Sequence, residues 1–202
     1  MRKLIADRRL LFGYILAHLF IFFTFEQEKV FWYIFTATML VLISYSILDE
    51  TEPRTSKRFH LVWGIGSGAF IYGLFWIGNT LIDLLNLPLS NQITALYKLF
   101  SPELTWHYLV LFIIIGPGEE IFWRGFVQKR LLTYTNPWTS ILLSTILYAS
   151  VQIHSGELVL IIAALTGGFV WSILYAWKRS IRLVIISHII FDLLLFGLFP
   201  LR

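Results

Sequence analysis

The sequence predicts an all-α polytopic membrane protein, a bundle of about seven transmembrane helices with the N-terminus in the cytoplasm. Of the 202 residues, 57% are hydrophobic and only 14% are charged, whereas a soluble domain carries about a quarter charged residues. Most of the uncharged stretches approach the roughly 20 residues that a helix needs to cross about 30 Å of hydrocarbon. They cover residues 10–25, 30–48, 61–82, 104–118, 138–153, 158–177 and 183–201. We therefore expect an integral membrane protein.

The basic residues give the orientation. With the N-terminus in the cytoplasm, 12 of the 16 lysines and arginines fall on the cytoplasmic side, as the positive-inside rule expects. These are Arg2, Lys3, Arg8, Arg9, Arg54, Lys57, Arg58, Lys129, Arg130, Lys178, Arg179 and Arg182. Lys29, Lys98 and Arg202 fall on the other side, and Arg124 lies within the membrane. Short basic clusters beside helix ends bind anionic lipid, so we expect the lipid bilayer as a partner and no nucleic acid.

The first two helices carry no charged residue within the membrane, and His18 is their one ionisable side chain there. The polar stretch DETEPRTSKR (49–58) follows them and contains Pro53, which predicts a loop. We therefore divide the chain into an N-terminal helix pair with its loop, residues 1–58, and a helical core that carries the chemistry, residues 59–202. Both belong to a single integral domain.

The third helix contains GIGSG (64–68), in which a serine stands among glycines. Such a serine can be a nucleophile, but Gly64 and Gly68 have the spacing that lets two transmembrane helices approach closely, and Gly73 continues it. The motif therefore predicts helix packing.

The fourth stretch runs from residue 104 to residue 132, either as one long helix or as two broken halves. Gly116-Pro117-Gly118 predicts a break, after which Glu119 and Glu120 open the second half. The positive end of a half-helix stabilises anions, so we expect it to hold Glu119 ionised.

Ionisable side chains within this stretch differ in their partners. A charge near the bilayer centre costs about 2.5–3.5 kcal/mol, so such groups tend to be paired and functional. Glu120 and Arg124 are four residues apart and share one helix face, which predicts an ion pair. Glu119 lies about 100° round the helix, where its neighbour four residues on is Trp123. A buried salt-bridge cluster would account for Glu120 and Arg124, but it leaves Glu119 free for chemistry.

The later helices supply two histidines and a carboxylate. His188 and Asp192 in SHIIFD share a face, and His154 lies near the end of the fifth stretch. Glu119 could act as a general base on water, with His154 orienting the water and His188 and Asp192 stabilising an oxyanion. The alternative is a divalent metal, such as zinc, held by Glu119, His154 and His188. No HExxH motif and no cysteine is present, and we favour the metal-free chemistry, with no cofactor certain.

EEIFWRG (119–125) resembles the EExxxR motif of the CAAX protease and bacteriocin-processing (CPBP, Abi) family of intramembrane proteases, which includes the Ras-converting CAAX endopeptidase. The order along the chain is also similar, because a histidine helix and then H-x-x-x-N/D follow EExxxR. The resemblance runs from residue 104 onwards. The family's second motif usually reads F-x-x-x-H, but here Ser150 precedes His154 by four residues, and the nearest aromatic residue is Tyr148.

The resemblance implies a CAAX endopeptidase-like protease, glutamate-dependent or metal-dependent, that cleaves a membrane-anchored protein or peptide. It also implies that the membrane is a bacterial cell membrane. It implies Glu119 as the catalytic glutamate and His154 as an aid to water activation. His188 and Asp192 would stabilise the oxyanion, while Glu120 and Arg124 fill the remaining places of the motif as structural support.

Two further function classes stay open. A non-catalytic membrane regulator or bacteriocin immunity protein could keep the same fold and bind partner proteins. A proton- or cation-coupled carrier could use the same buried groups as a relay, although the chain shows no inverted repeat.

Overall fold

The computed structural model describes residues 7–47 and 58–201, with side chains described from residue 61 in the second range. Within these ranges the chain is helical and contains no β-strand. We number the helices α1 to α8 in chain order. They are α1 Arg8–Glu26, α2 Phe31–Ile47, α3 Arg58–Leu84, α4 Leu89–Phe100, α5 Thr105–Tyr134, α6 Pro137–Val151, α7 Leu158–Lys178 and α8 Ile181–Asp192, which a wide helical turn continues over Leu193–Leu198.

The predicted helical membrane bundle is confirmed, with a span count roughly as expected. Among the described residues, five helices are long and apolar enough to cross a membrane: α1, α2, α3, α7 and α8 with its continuation. A sixth span is counted if α4 and α5, bent by 104° relative to each other, are taken together. The stretch predicted at 138–153 forms α6, which is short but continues into a 3-10 turn, Gln152–Ser155.

The predicted break at Gly116-Pro117-Gly118 is wrong, because α5 runs through these residues. Wide π-helical turns lie on both sides of them, at Leu111–Ile115 and Ile121–Gln128. Such turns adjust the hydrogen bonding of a membrane helix around a proline, which lacks an N–H. A Cβ added at Gly118 would lie 3.1 Å from Met39 Cβ of α2, so this glycine permits helix packing. No half-helix end therefore points at Glu119.

Close packing of α3 on α8 confirms the interpretation of GIGSG as a packing motif. A Cβ added at Gly64 would lie 2.6 Å from Ile186 Cγ2, and one at Gly68 would lie 2.5 Å from the Ser187 carbonyl oxygen. Ser67 Oγ lies 2.9 Å from Ser187 Oγ and adds a hydrogen bond between the same helices. Gly73 meets nothing within 4 Å and takes no part in this contact.

Charged and aromatic contacts mark one end of the bundle as the basic end. Asp7 accepts hydrogen bonds from Arg130 (2.7 Å) and Tyr134 (3.1 Å), which joins the start of α1 to the end of α5. The Lys178 ammonium lies 3.5 Å from the ring centre of Trp177. The described basic residues predicted to be cytoplasmic lie at helix termini of this end: Arg8 and Arg9 of α1, Lys129 and Arg130 of α5, and Lys178, Arg179 and Arg182 of α7 and α8.

Several predictions fall outside the described residues. They concern Arg2, Lys3, Arg54, Lys57 and Arg202 and residues 49–57 of the polar loop. The domain boundary at residue 58 and the cytoplasmic N-terminus stay predictions.

Candidate active site

Glu120 lies at the centre of a buried polar cluster between α5 and the two helices that follow α6. Neither Glu120 nor Arg124 is exposed, and Arg124 Nη1 donates to Glu120 Oε1 at 3.1 Å, as their spacing predicts. Arg124 Nη2 donates to the Gly168 carbonyl of α7 at 3.0 Å. The guanidinium also lies over the rings of Tyr148 (4.8 Å) and Trp171 (5.5 Å), so cation–π attraction offsets part of its desolvation.

His188 of α8 is fixed by contacts with two other helices. Its Nδ1 lies 2.8 Å from Glu120 Oε1, and because a carboxylate only accepts, Nδ1–H donates. The Trp171 indole stacks on the imidazole, with ring centres 4.0 Å apart and planes 19° apart. Trp171 Nε1 in turn donates to Ser187 Oγ at 3.1 Å. These contacts turn His188 Nε2 away from Glu120 and towards two other carboxylates.

Glu119 and Asp192 are those two carboxylates. Glu119 Oε2 lies 3.6 Å from His188 Nε2 and accepts a hydrogen bond from Tyr148 OH at 3.2 Å. Asp192 Oδ1 lies 3.7 Å from the same nitrogen, and Asp192 Oδ2 is buried with no partner among the described residues. A Cβ added at Gly116 would lie 3.3 Å from Asp192 Oδ2, so the glycine leaves room for this carboxylate.

A cavity of about 340 Å³ reaches this group of side chains. Glu119, His188 and Asp192 line it, and most of its other walls are apolar or aromatic side chains, including those of Phe75 and Phe191. One polar nitrogen and two carboxylates therefore face a space large enough for part of a ligand. Carboxylates and an imidazole at the wall of an apolar cavity are suited to general acid–base chemistry.

The structure does not bring His154 into contact with this group. His154 Nε2 lies 3.0 Å from His18 Nδ1 of α1, and His18 Nε2 lies 3.2 Å from Ser150 Oγ. Since Ser150 donates its proton to the Leu147 carbonyl, neutral His18 donates from Nε2 and accepts from His154 through Nδ1. The Tyr14 hydroxyl lies 2.9 Å from Ser150 Oγ. His154 therefore joins α1 to the end of α6.

Tyr148 and Gln152 lie at the cavity wall, the position that the sequence predicts for His154. Both residues line the cavity, and they are four residues apart on one face of α6 and its 3-10 continuation. His154 lies six residues beyond Tyr148, which is about 240° round the helix axis. In spacing and orientation, Tyr148 and Gln152 therefore match the two fixed positions of F-x-x-x-H better than Ser150 and His154, with Tyr in place of Phe and Gln in place of His. Tyr148, an aromatic residue four positions before Gln152, was the sequence signal that could have identified Gln152 as a residue of the site.

The residues present do not form the predicted three-residue metal shell. Of Glu119, His154 and His188, the first and third meet, while His154 pairs with His18. In the described part of the chain, no group of three or more His, Asp or Glu side chains is arranged to hold a metal ion. The possible zinc site therefore gains no support from this donor set.

Fold and site together define a helical membrane protein with a carboxylate–imidazole cluster buried at the wall of an apolar cavity. Residues 101–194 match the family model described as type II CAAX prenyl endopeptidase Rce1-like. This match supports the assignment of the segment to the CAAX protease family, which the EExxxR resemblance predicts. The match supports an intramembrane protease of the CAAX type at the level of the family.

An uncharacterised protein of Mycoplasma capricolum subsp. capricolum is 28% identical over 174 residues, which cover 77% of this chain and 51% of that protein. The chain thus spans about half the length of this curated relative. A bacterial membrane location is compatible with it, and the long apolar helices make the chain an integral membrane protein. No solved structure matches the chain.

Proposed function

We propose that the chain is an intramembrane endopeptidase in which Glu119 is the general base. One observation carries the proposal: Glu119 Oε2 faces a cavity only 3.6 Å from His188 Nε2, while its neighbour Glu120 is occupied by Arg124 and by His188 Nδ1. A carboxylate that makes no ion pair with Arg124 and lies beside an imidazole can take and return a proton.

In the proposed reaction, Glu119 removes a proton from water, and the resulting hydroxide attacks the carbonyl carbon of the scissile amide. The carbonyl oxygen becomes an oxyanion, and the proton on Glu119 passes to the leaving amine as the C–N bond breaks. As an imidazolium, His188 donates from Nδ1 to Glu120 and keeps Nε2–H for the oxyanion. Asp192 orients this nitrogen, and the Gln152 amide, which also lines the cavity, is a second donor.

Substrates of this proposed enzyme are membrane-associated polypeptides, because the reacting groups lie within a helical membrane bundle. His154 has no part in the mechanism, since its ring bonds to His18. No metal is needed for any step, so we expect a chelator to leave the rate unchanged.

The test compares Glu119→Gln with wild type in proteoliposomes that contain a set of membrane-anchored peptides in ¹⁸O-labelled water. Hydrolysis places ¹⁸O in the new C-terminal carboxyl group, which mass spectrometry detects at whichever peptide bond is cleaved. We expect Glu119→Gln to lower the rate about 10²–10⁴-fold, because it removes the general base. Thermal stability should stay close to wild type.

The matched control is Glu26→Gln, which changes an exposed glutamate at the end of α1. It should cleave at the wild-type rate. Wild-type cleavage by Glu119→Gln would refute the proposed mechanism.

A non-catalytic regulator or immunity protein of the same fold is the second candidate. The occurrence of Gln152, and not a histidine, at the cavity wall favours it. If cells that depend on the chain for protection against a bacteriocin keep that protection with Glu119→Gln, the regulatory function is supported. Loss of protection with normal membrane levels of the variant supports the protease.

A further inference from the structure

We infer that the cavity takes its substrate from the non-cytoplasmic side of the membrane, as an extended apolar polypeptide segment. The inference deepens the proposed function, because it names the side and the chemistry of the substrate for the same site. It rests on where the cavity lies relative to the basic end of the bundle.

The basic end faces the cytoplasm by the positive-inside rule. In the described residues it gathers the basic side chains at the start of α1, the end of α5 and the junction of α7 with α8. The Asp7–Arg130 ion pair shows that the start of α1 and the end of α5 are at the same level. Lys29 and Lys98 belong to the other end, where α1 meets α2 and where α4 lies.

The cavity is formed by residues near the non-cytoplasmic end of the bundle. Its lining residues come from the end of α1 (Phe25), the start of α2 (Phe31), the last turns of α3 (Ile82), α4 (Tyr97), the start of α7 (Val159) and the chain beyond α8 (Leu201). None of the lining residues belongs to the first turn of α1 or to α5 beyond Glu119. The cavity therefore lies between Glu119 and the non-cytoplasmic end.

The path from Glu119 to the cytoplasmic end is filled by side chains. Beyond Glu119, α5 presents Phe122, Arg124, Phe126 and Gln128, each of which is at most 1% exposed. Gln128 Nε2 donates to the Ser172 carbonyl at 2.8 Å and ties α5 to α7 at this level. A polypeptide cannot reach Glu119 from the cytoplasmic end without unpacking this layer.

The residues that line the cavity determine which kind of polypeptide segment can bind in it. Most lining side chains are apolar. Glu119, His188 and Asp192 are the acidic and histidine residues among them, and no lysine or arginine lines the cavity. An acidic segment would meet two carboxylates, and the one cation at the wall, the His188 imidazolium, already faces both of them. The expected substrate is thus an apolar segment, without acidic residues near the cleaved bond, from a polypeptide exposed on the non-cytoplasmic side.

The chain has no cysteine, which allows a direct test with single-cysteine variants in intact cells and in inverted membrane vesicles. Gln152→Cys places a thiol at the cavity wall, and a small, membrane-impermeant methanethiosulfonate cation is the probe. We expect Gln152→Cys to react in intact cells and to react at least tenfold more slowly in inverted vesicles.

Two controls accompany this variant. Ser140→Cys lies on α6 at a fully buried position away from the cavity and should react from neither side. Asn79→Cys, also on the cavity wall, replaces Gln152→Cys if that variant does not accumulate in the membrane. Asn91→Cys on α4 and Thr133→Cys at the basic end report the orientation, and we expect them to react from outside and inside, respectively.

Reaction of the cavity cysteines from the cytoplasmic side, or from neither side, would overturn the inference. Reaction of Thr133→Cys in intact cells would overturn it as well. None of these results depends on catalysis. External labelling combined with wild-type cleavage by Glu119→Gln would refute Glu119 as the general base and leave the access route intact.

Discussion

Glu120 contacts residues on two helices, Arg124 on α5 and His188 on α8. These two contacts give Glu120 a supporting role that the adjacent Glu119 does not share. Glu120 accepts from Arg124 within α5 and from His188 of α8 through the same oxygen, Oε1. The sequence predicts the first of these contacts, because four residues bring side chains together on a helix. It does not predict the second, because the pairing of α5 with α8 depends on tertiary packing. Glu120 therefore supports His188 as well as Arg124.

Gln152 and His154 should respond to substitution in different ways. We expect Gln152→Ala to lower kcat about 10²–10³-fold, the usual cost of losing one oxyanion donor. Gln152→His should recover part of this loss, since an imidazole N–H can donate in its place. The measurement is the ¹⁸O cleavage assay, with unfolding followed on the same samples.

His154→Ala is the comparison two residues away. It removes the hydrogen bond to His18, which costs about 1 kcal/mol of unfolding free energy, and it should leave kcat of the folded protein unchanged. A large fall in kcat for His154→Ala, with none for Gln152→Ala, would reverse these assignments.

The different surroundings of Gln152 and His154 show what helix spacing leaves open. Both His154 and Gln152 follow Tyr148 on α6, and only the neighbours of each helix face decide which one meets the cavity. His18 on α1 gives His154 a partner that no local pattern reveals. Trp171, which stacks on His188, was missed for the same reason, because it lies on another helix at no fixed sequence distance.

At the scale of helices, composition predicted the membrane stretches well, but not the path of the chain within them. Pro117 indicated a break by the usual rule, yet the wide turns on either side keep α5 continuous. Packing against α2 and α8 favours this continuous helix, and a local rule does not include such packing. The glycines of α3 were easier to predict, because close approach requires small residues at a regular spacing.

Gly68→Ala should destabilise the bundle, whereas Gly66→Ala should not. A Cβ at residue 68 would lie 2.5 Å from the Ser187 carbonyl oxygen, while one at residue 66 meets nothing within 4 Å. Separating α3 from α8 should cost about 1–3 kcal/mol, the usual cost of overpacking. Unfolding in mixed micelles with increasing denaturant measures the difference. Equal stabilities of the two variants would contradict the packing of α3 on α8.

At the scale of the whole molecule, Asp7 links the start of the chain to the helix that carries the site. Burial alone would raise the pKa of its carboxyl group, but the Leu10 N–H, the Arg130 guanidinium and the Tyr134 hydroxyl outweigh burial and hold this pKa below its usual value of 3.8. A carboxyl group whose pKa is lower in the folded state stabilises that state above its unfolded pKa.

Wild type should therefore be more stable than Asp7→Asn at neutral pH, and this difference should shrink as the pH falls below about 4 towards the folded-state pKa. Melting temperatures of both proteins between pH 3 and pH 7 measure it, with Glu26→Gln as the control for an exposed carboxyl group. A difference that grows in acid would show that the carboxylate of Asp7 does not stabilise the fold.

The contacts of the Arg124 guanidinium bear on how the helix bundle unfolds. Its guanidinium contacts Glu120, the Gly168 carbonyl and the Tyr148 ring, and Glu120 extends the connection to His188. Arg124 and its ion-pair partner Glu120 thus link α5 to α6, α7 and α8, and removing α6, α7 or α8 would take away a group that offsets the burial of this ion pair in hydrocarbon. We therefore expect these four helices to form one cooperative unit that unfolds in a single step and not helix by helix.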